Sequence, residues 1–178
     1  MSTSSSHEHI QHLAHLIRGI KVAMLTTISE DGLLRSRPMV TQEEEFDGTL
    51  WFFTRADAAK VGEVQREEQV NVSYAHPDDQ RFVSVSGRAT LVRDHQEIQQ
   101  RWGPLYKPWF PRGPADPQLA LLRVDAEKAE YWDAPSGAMV QLLGFARALA
   151  TGQTYQSGEN QKVDLDDARG TAQNGNPE

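Results

Sequence analysis

Three cations fall where strand ends and a helix start would gather them. Arg35 and Arg37 belong to the run Arg35-Ser36-Arg37-Pro38-Met39, and Lys60 closely follows Trp51-Phe52-Phe53-Thr54-Arg55. A guanidinium grips a phosphate through two parallel hydrogen bonds, and an ammonium adds a point charge. A helix opening near Asp57 contributes free backbone N–H groups and the positive end of its dipole. With Met39, Phe52 and Phe53 nearby, the set reads as a phosphate site beside a flat aromatic ligand. The same residues also read as solvent-facing arginines, a surface lysine and core aromatics. Residue type and spacing leave both readings open.

Other chemistries find less support. The chain has no cysteine, which removes a disulfide framework, a thiolate zinc site and a cysteine nucleophile. It contains no G-x-S-x-G elbow, no P-loop and no G-x-G-x-x-G dinucleotide loop. His7, His9, His12 and His15 crowd the N-terminal stretch, but Gln11 stands where H-E-x-x-H requires its second histidine. They read as a solvated helix face. With 18 basic and 25 acidic residues in 178, the net charge of −7 argues against a nucleic-acid partner. No run approaches the roughly 18 apolar residues of a membrane span. The N-terminus also lacks the basic-then-apolar order of a signal peptide, so a cytoplasmic protein is expected.

The elements that must position these residues are mostly strands. Ile10, Leu13, Leu16 or Ile17, and Ile20 recur at helical spacing and predict a helix over His7–Ile20, after a Ser/Thr-rich start at 1–6 expected to be disordered. Lys21–Ser29 and Leu34–Thr41 read as a hairpin about Glu30-Asp31-Gly32. A solvated acidic connection, Gln42–Gly48, leads to a third strand, Thr49–Thr54. Asp57 then caps a helix running to about Arg66. Gln69–Ala75 and Arg81–Arg93 follow as strands, and Asp94 with Glu97 resembles a capping box.

Gly103–Pro117 carries five of the nine prolines and cannot be a regular element. It reads either as a cover over a substrate, through Tyr106, Lys107 and Trp109, or as a packed structural loop. Two short strands, Leu119–Val124 and Ala129–Trp132, precede a last helix opened by Ser136, with Met139, Leu142, Leu143, Ala146 and Leu149 as its stripe. Strands and helices do not alternate regularly. The predicted class is therefore mainly β (α+β): an antiparallel sheet, closed as a small barrel, with helices outside. Residues 7–152 make the domain, and 153–178 read as a polar tail.

The ordered segments S-R-P-M, W-F-F-T, D-x-x-K, V-N-V-S-Y, V-S-V-S-G-x-A, W-F-P-x-G-P and E-Y-W-D resemble the general-stress-protein branch of the pyridoxamine 5′-phosphate oxidase-like family, which are FMN-binding split-barrel proteins. The similarity runs from about Ile10 to Gly152, with hints into Lys162–Leu165. The resemblance implies a split β-barrel, a homodimer, and FMN held at the subunit interface. It places Ser36, Arg37, Pro38 and Met39 beside the flavin, and Phe52, Phe53 and Thr54 on the next strand, with Thr54 near the phosphate. Lys60 becomes the phosphate-binding lysine, and Trp132 reaches the flavin from the partner subunit; core packing is the competing role for Trp132.

The chain departs from the branch's D-S-x-K in reading Asp57-Ala58-Ala59-Lys60, which removes one hydroxyl donor. Implied functions are an FMN-dependent oxidoreductase using NAD(P)H or another small molecule, a non-catalytic flavin carrier or sensor, or a barrel for haem or a deazaflavin. Pyridoxamine 5′-phosphate oxidase activity itself needs a second phosphate site, which the sequence does not assemble.

Overall fold

The computed structural model describes residues 2–133 and 159–165, with side chains from His7 to Asp133 and from Asn160 to Leu165. The helix expected after Ser136 lies outside the described residues. Helix α1 spans Ser2–Ile17, so the Ser/Thr-rich start expected to be disordered is helical in its backbone from Ser2. Leu13 and Leu16 are fully buried and dock this helix on the sheet, and Gly19, at φ +81°, turns the chain out of it. Arg81 fastens the same end: its Nη1 donates to the Leu16 carbonyl at 2.7 Å.

Strands β1 (Val22–Ile28) and β2 (Leu34–Val40) form the expected hairpin, with Val22 opposite Val40 and Ile28 opposite Leu34. Its turn rests on Gly32 at φ +78° and on the Ser29 hydroxyl, which donates to the Asp31 carboxylate and the Leu33 carbonyl. Strand β3 (Thr49–Arg55) leads into α2 (Ala59–Arg66), and β4 (Gln69–His76) and β5 (Arg81–Val92) follow as an antiparallel pair. Helix α3 (His95–Arg101) is capped as expected, the Asp94 carboxylate accepting from the N–H groups of Gln96 and Glu97. The Glu97 carboxylate turns instead to Arg101.

Leu119–Val124 and Ala129–Trp132 prove to be one strand, β6 (Leu119–Asp133). The polar stretch between them is carried through by a bulge: Ser86 pairs with Lys128 and Gly87 with Ala126, leaving Glu127 as the extra residue. A last strand, β7 (Glu159–Asp164), arises within the stretch read as a polar tail and pairs with β6, burying Val163 and, just beyond it, Leu165.

Every pairing is antiparallel, in the order β2-β1-β4-β5-β6-β3, with β7 beside the second half of β6. The sheet curls into a half-barrel whose end strands, β2 and β3, approach but do not pair, and helices flank it. The main core fills the concave face, where α1 packs Leu13 and Leu16 against Leu25, Phe52, Val72 and Val85. A second core forms under the proline-rich segment, where Phe53 meets Tyr106 at 4.5 Å and Trp102 at 5.7 Å between ring centroids. Tyr106 and Phe110 are buried there while Trp109 stays exposed, so the segment packs as structure. No helix among the described residues is long and apolar enough to cross a membrane.

Candidate functional site

Strand alternation divides the predicted residues between two faces. On β2, Arg35, Arg37 and Met39 point to the concave side, and Ser36 and Pro38 to the convex side. Arg37 is half-buried beside β1 and α2. Its Nη1 donates to the Thr27 hydroxyl at 2.7 Å and its Nη2 to Glu63 Oε1 at 2.8 Å, while Thr27 Oγ1 donates to Glu63 Oε2 at 2.7 Å. Thr27 and Glu63 are buried. Burial opposes the charge on Glu63, but the Thr27 hydroxyl, the Arg37 hydrogen bond and the charges of Arg37 and Arg35 outweigh it. They hold the carboxyl below its ordinary range.

Thr27 and Glu63 were absent from the predicted set. Glu63 lies three residues beyond Lys60, which places both on one helix face, and that spacing was the available signal. Thr27 gave none, because its role depends on β1 lying against both β2 and α2.

Lys60 occupies the first turn of α2 and is half-buried. Burial, then the nearby charge of Arg37, lowers its affinity for a proton, and Glu63 partly restores it. Its ammonium has no hydrogen bond or ion pair among the described residues. The helix start beside it is bare. Asp57 does not cap, because Arg55 Nε and Nη2 hold its carboxylate at 3.0 and 2.9 Å; Ala58 takes the N-cap position and offers no side-chain acceptor. The first-turn N–H groups therefore lack a capping side chain. An unpaired cation and an uncapped helix start together favour an anion.

The remaining predicted residues separate. Phe52 is buried in the main core and Phe53 in the second. Thr54 is buried as well, its hydroxyl leaning on the Arg55 carbonyl at 3.4 Å. Met39 is buried in the main core. Since β3 pairs only with β6 among the described residues, its other edge there leaves backbone groups toward β2.

Trp132, 39 % exposed, lies on the convex face opposite Phe82. Four strand spacings separate β6 from β2, about 19 Å along the sheet. The structure thus gathers Arg37 and Lys60 around Glu63, and sets Ser36, Pro38 and Trp132 apart from them on the opposite face. That face is polar at its centre, where Thr26 bonds Ser36 at 2.7 Å and Asn71 donates to Ser84 and Ser86 at 2.8 and 3.3 Å. Val22, Met24, Leu34, Phe82 and Trp132 lie exposed around it. Among the N-terminal histidines, His7 pairs with Gln11 and His12 packs on the Tyr131 ring at 4.9 Å.

Known proteins resemble this chain over most of its length. Protein bli-3 of Neurospora crassa is 28 % identical over 156 residues, covering 82 % of this chain and 75 % of that protein. A solved general stress FMN/FAD binding protein from Xanthomonas citri is 29 % identical, with a TM-score of 0.64 over 73 % of this chain and 92 % of its own. A Clostridium acetobutylicum protein related to general stress protein 26 of B. subtilis shares the fold at 14 % identity, with a TM-score of 0.68 over 91 % and 98 %. The family model described as pyridoxamine 5′-phosphate oxidase like matches residues 8–156. Over that span the chain belongs to the pyridoxamine 5′-phosphate oxidase-like family, in its general-stress-protein branch.

Proposed function

We propose that the protein binds FMN between two copies of the chain and acts as an FMN-dependent oxidoreductase. The observation that carries this reading is the uncapped start of α2 beside a half-buried lysine that has no ion pair among the described residues. Such a place suits the phosphate of a mononucleotide. Lys60 and the first N–H groups of α2 would hold that phosphate, and Arg37, already oriented by Thr27 and Glu63, would stand beside it. The free edge of β3 at Phe52–Thr54 offers backbone groups to the rest of the ligand. When bound, FMN supplies the electron-transfer chemistry, while the protein contributes binding, orientation and electrostatics.

A second copy is part of the proposal for two reasons. The family resemblance assigns Trp132 to the partner's flavin. Within its own chain Trp132 lies on the convex face four strands from β2, so another subunit's tryptophan would be the one to reach the ligand. The convex face also exposes apolar side chains that a two-fold partner would cover.

The purified protein is expected to take up added FMN with a shifted visible spectrum, and Lys60→Ala to weaken it about 10- to 100-fold, the worth of a hydrogen bond to a charged group. Absence of flavin binding in the unaltered protein overturns the proposal, and a Soret band points to haem instead. Anaerobic NADH or NADPH should then bleach the bound flavin. Failure with both leaves a flavin carrier or sensor.

A further inference from the structure

A cavity of about 450 Å³ lies at the other end of the half-barrel, between the end of α1, the connection from Thr41 to Phe46, and the inner faces of β3 and β4. Its volume falls in the range of small-molecule sites. Ala14, Ile17, Ile20, Phe46, Leu50 and Phe52 give it apolar walls. Arg37, Lys60 and Glu63 take no part in it, and Phe52 alone belongs also to the residues assigned to the flavin.

Two polar groups in this lining lack hydrogen-bond partners among the described residues. The Gln42 side-chain Nε2 is buried and makes no hydrogen bond among the described residues. Tyr74 is 4 % exposed on β4, and its hydroxyl makes no hydrogen bond among the described residues. Burial alone raises the pKa of that phenol, with no charge or hydrogen bond contributing. Folded proteins seldom leave a buried amide such as that of Gln42 unsatisfied, and a ligand acceptor would give a partner to it and to the Tyr74 hydroxyl.

The rim, by contrast, is electrically balanced. Lys21 meets Glu43 at 2.6 Å, Arg18 meets Glu45 at 3.8 Å, and Arg101, stacked on Trp51, meets Glu44 at 3.1 Å. The acidic run therefore borders the cavity, and of its ion pairs Lys21–Glu43 and Arg18–Glu45 are exposed and individually hold weakly. Its cations are already matched, so the site has no net attraction for a charged ligand.

We propose that this cavity is a second small-molecule site, which takes an uncharged, largely apolar carbonyl compound hydrogen-bonded by Gln42 and Tyr74. The site is independent of the flavin reading, and its test keeps the two apart. The probe is the uncharged naphthyl ketone dye prodan, titrated into the full-length protein with and without FMN, while thermal unfolding verifies that each variant is folded. Saturable, blue-shifted emission with one dye per chain is expected. Gln42→Leu and Tyr74→Phe should each weaken it about 2- to 12-fold, the value of one neutral hydrogen bond. Gln42→Leu should leave Tm unchanged or raised, since it removes an unsatisfied amide. Ile17→Trp, which fills the cavity, should abolish binding, whereas Lys60→Ala should not affect it. Absence of saturable binding, full affinity in folded Gln42→Leu and Tyr74→Phe, or displacement of the dye by FMN would overturn the proposal.

Discussion

At the scale of single residues, the network of Arg37, Thr27 and Glu63 makes a pH-dependent contribution. The folded Glu63 carboxyl titrates below the ordinary value of 4.5. Its stabilisation is therefore present in full above pH 4.5 and is lost as pH falls through the lower, folded value. Thermal melts of the wild type and Glu63→Gln should differ at neutral pH and begin to converge as the pH falls below 4.5. The amide keeps an acceptor for Thr27 but loses the charge that Arg37 faces.

Ala58 provides a second case. A serine there sits at the N-cap of α2, where its hydroxyl can accept from a first-turn N–H and donate to a bound phosphate. Ala58→Ser should raise FMN affinity several-fold to about a hundredfold in a fluorescence titration, and stabilise the free protein by about 1 kcal/mol. Arg37 and Lys60 were visible in the sequence as cations at element ends. What held them was not, because Thr27, Arg37 and Glu63 come from three elements and meet only in the fold.

At the scale of elements, the bulge in β5–β6 is the most constrained joint. Gly87 lies against β6 so closely that a Cβ would collide with the Asp125 carbonyl and come within 3.0 Å of Ala126 Cα. Backbone cannot yield as a side chain would. Gly87→Ala should destabilise the protein by about 3 kcal/mol, lowering Tm by roughly 10 °C in a thermal scan. The same bulge explains why the sequence suggested two strands where there is one: Asp125, Glu127 and Lys128 look like a polar interruption, and the irregular register accommodates them.

Strands that bury one face were legible from alternation in β4 and β5, whereas β1, nearly continuously apolar in sequence as a strand buried on both faces would be, buries only alternate residues. Strand β7 was not, since ENQKVD sends Val163 inward with Leu165 just after it and shows water the rest. Asp57 misled for a local reason: it is a good cap by type, but Arg55 two residues earlier claims it first.

At the scale of the whole molecule, the proposed dimer would tie assembly to cofactor binding through the convex sheet face. Replacing Phe82 or Trp132 by lysine puts a charge on this face and should convert a dimer to a monomer by sedimentation, with loss of bound flavin. Lys60→Ala should lose flavin while remaining dimeric, so the two variants separate contact from ligand. The split between β2 and β3 also bears on how the chain reaches this shape. Strand β3 ends at Arg55, yet its sheet neighbour among the described residues does not begin until Leu119, after β4 and β5 have formed their own hairpin. On the ribosome, the apolar segment Thr49–Thr54 must therefore wait with both edges open through more than sixty further residues of synthesis. Pairing across such a separation is slow, and a waiting strand of this composition is prone to meet copies of itself. The acidic run just before it, Glu43–Glu45, places like charges on neighbouring nascent chains and so guards β3 until β6 arrives.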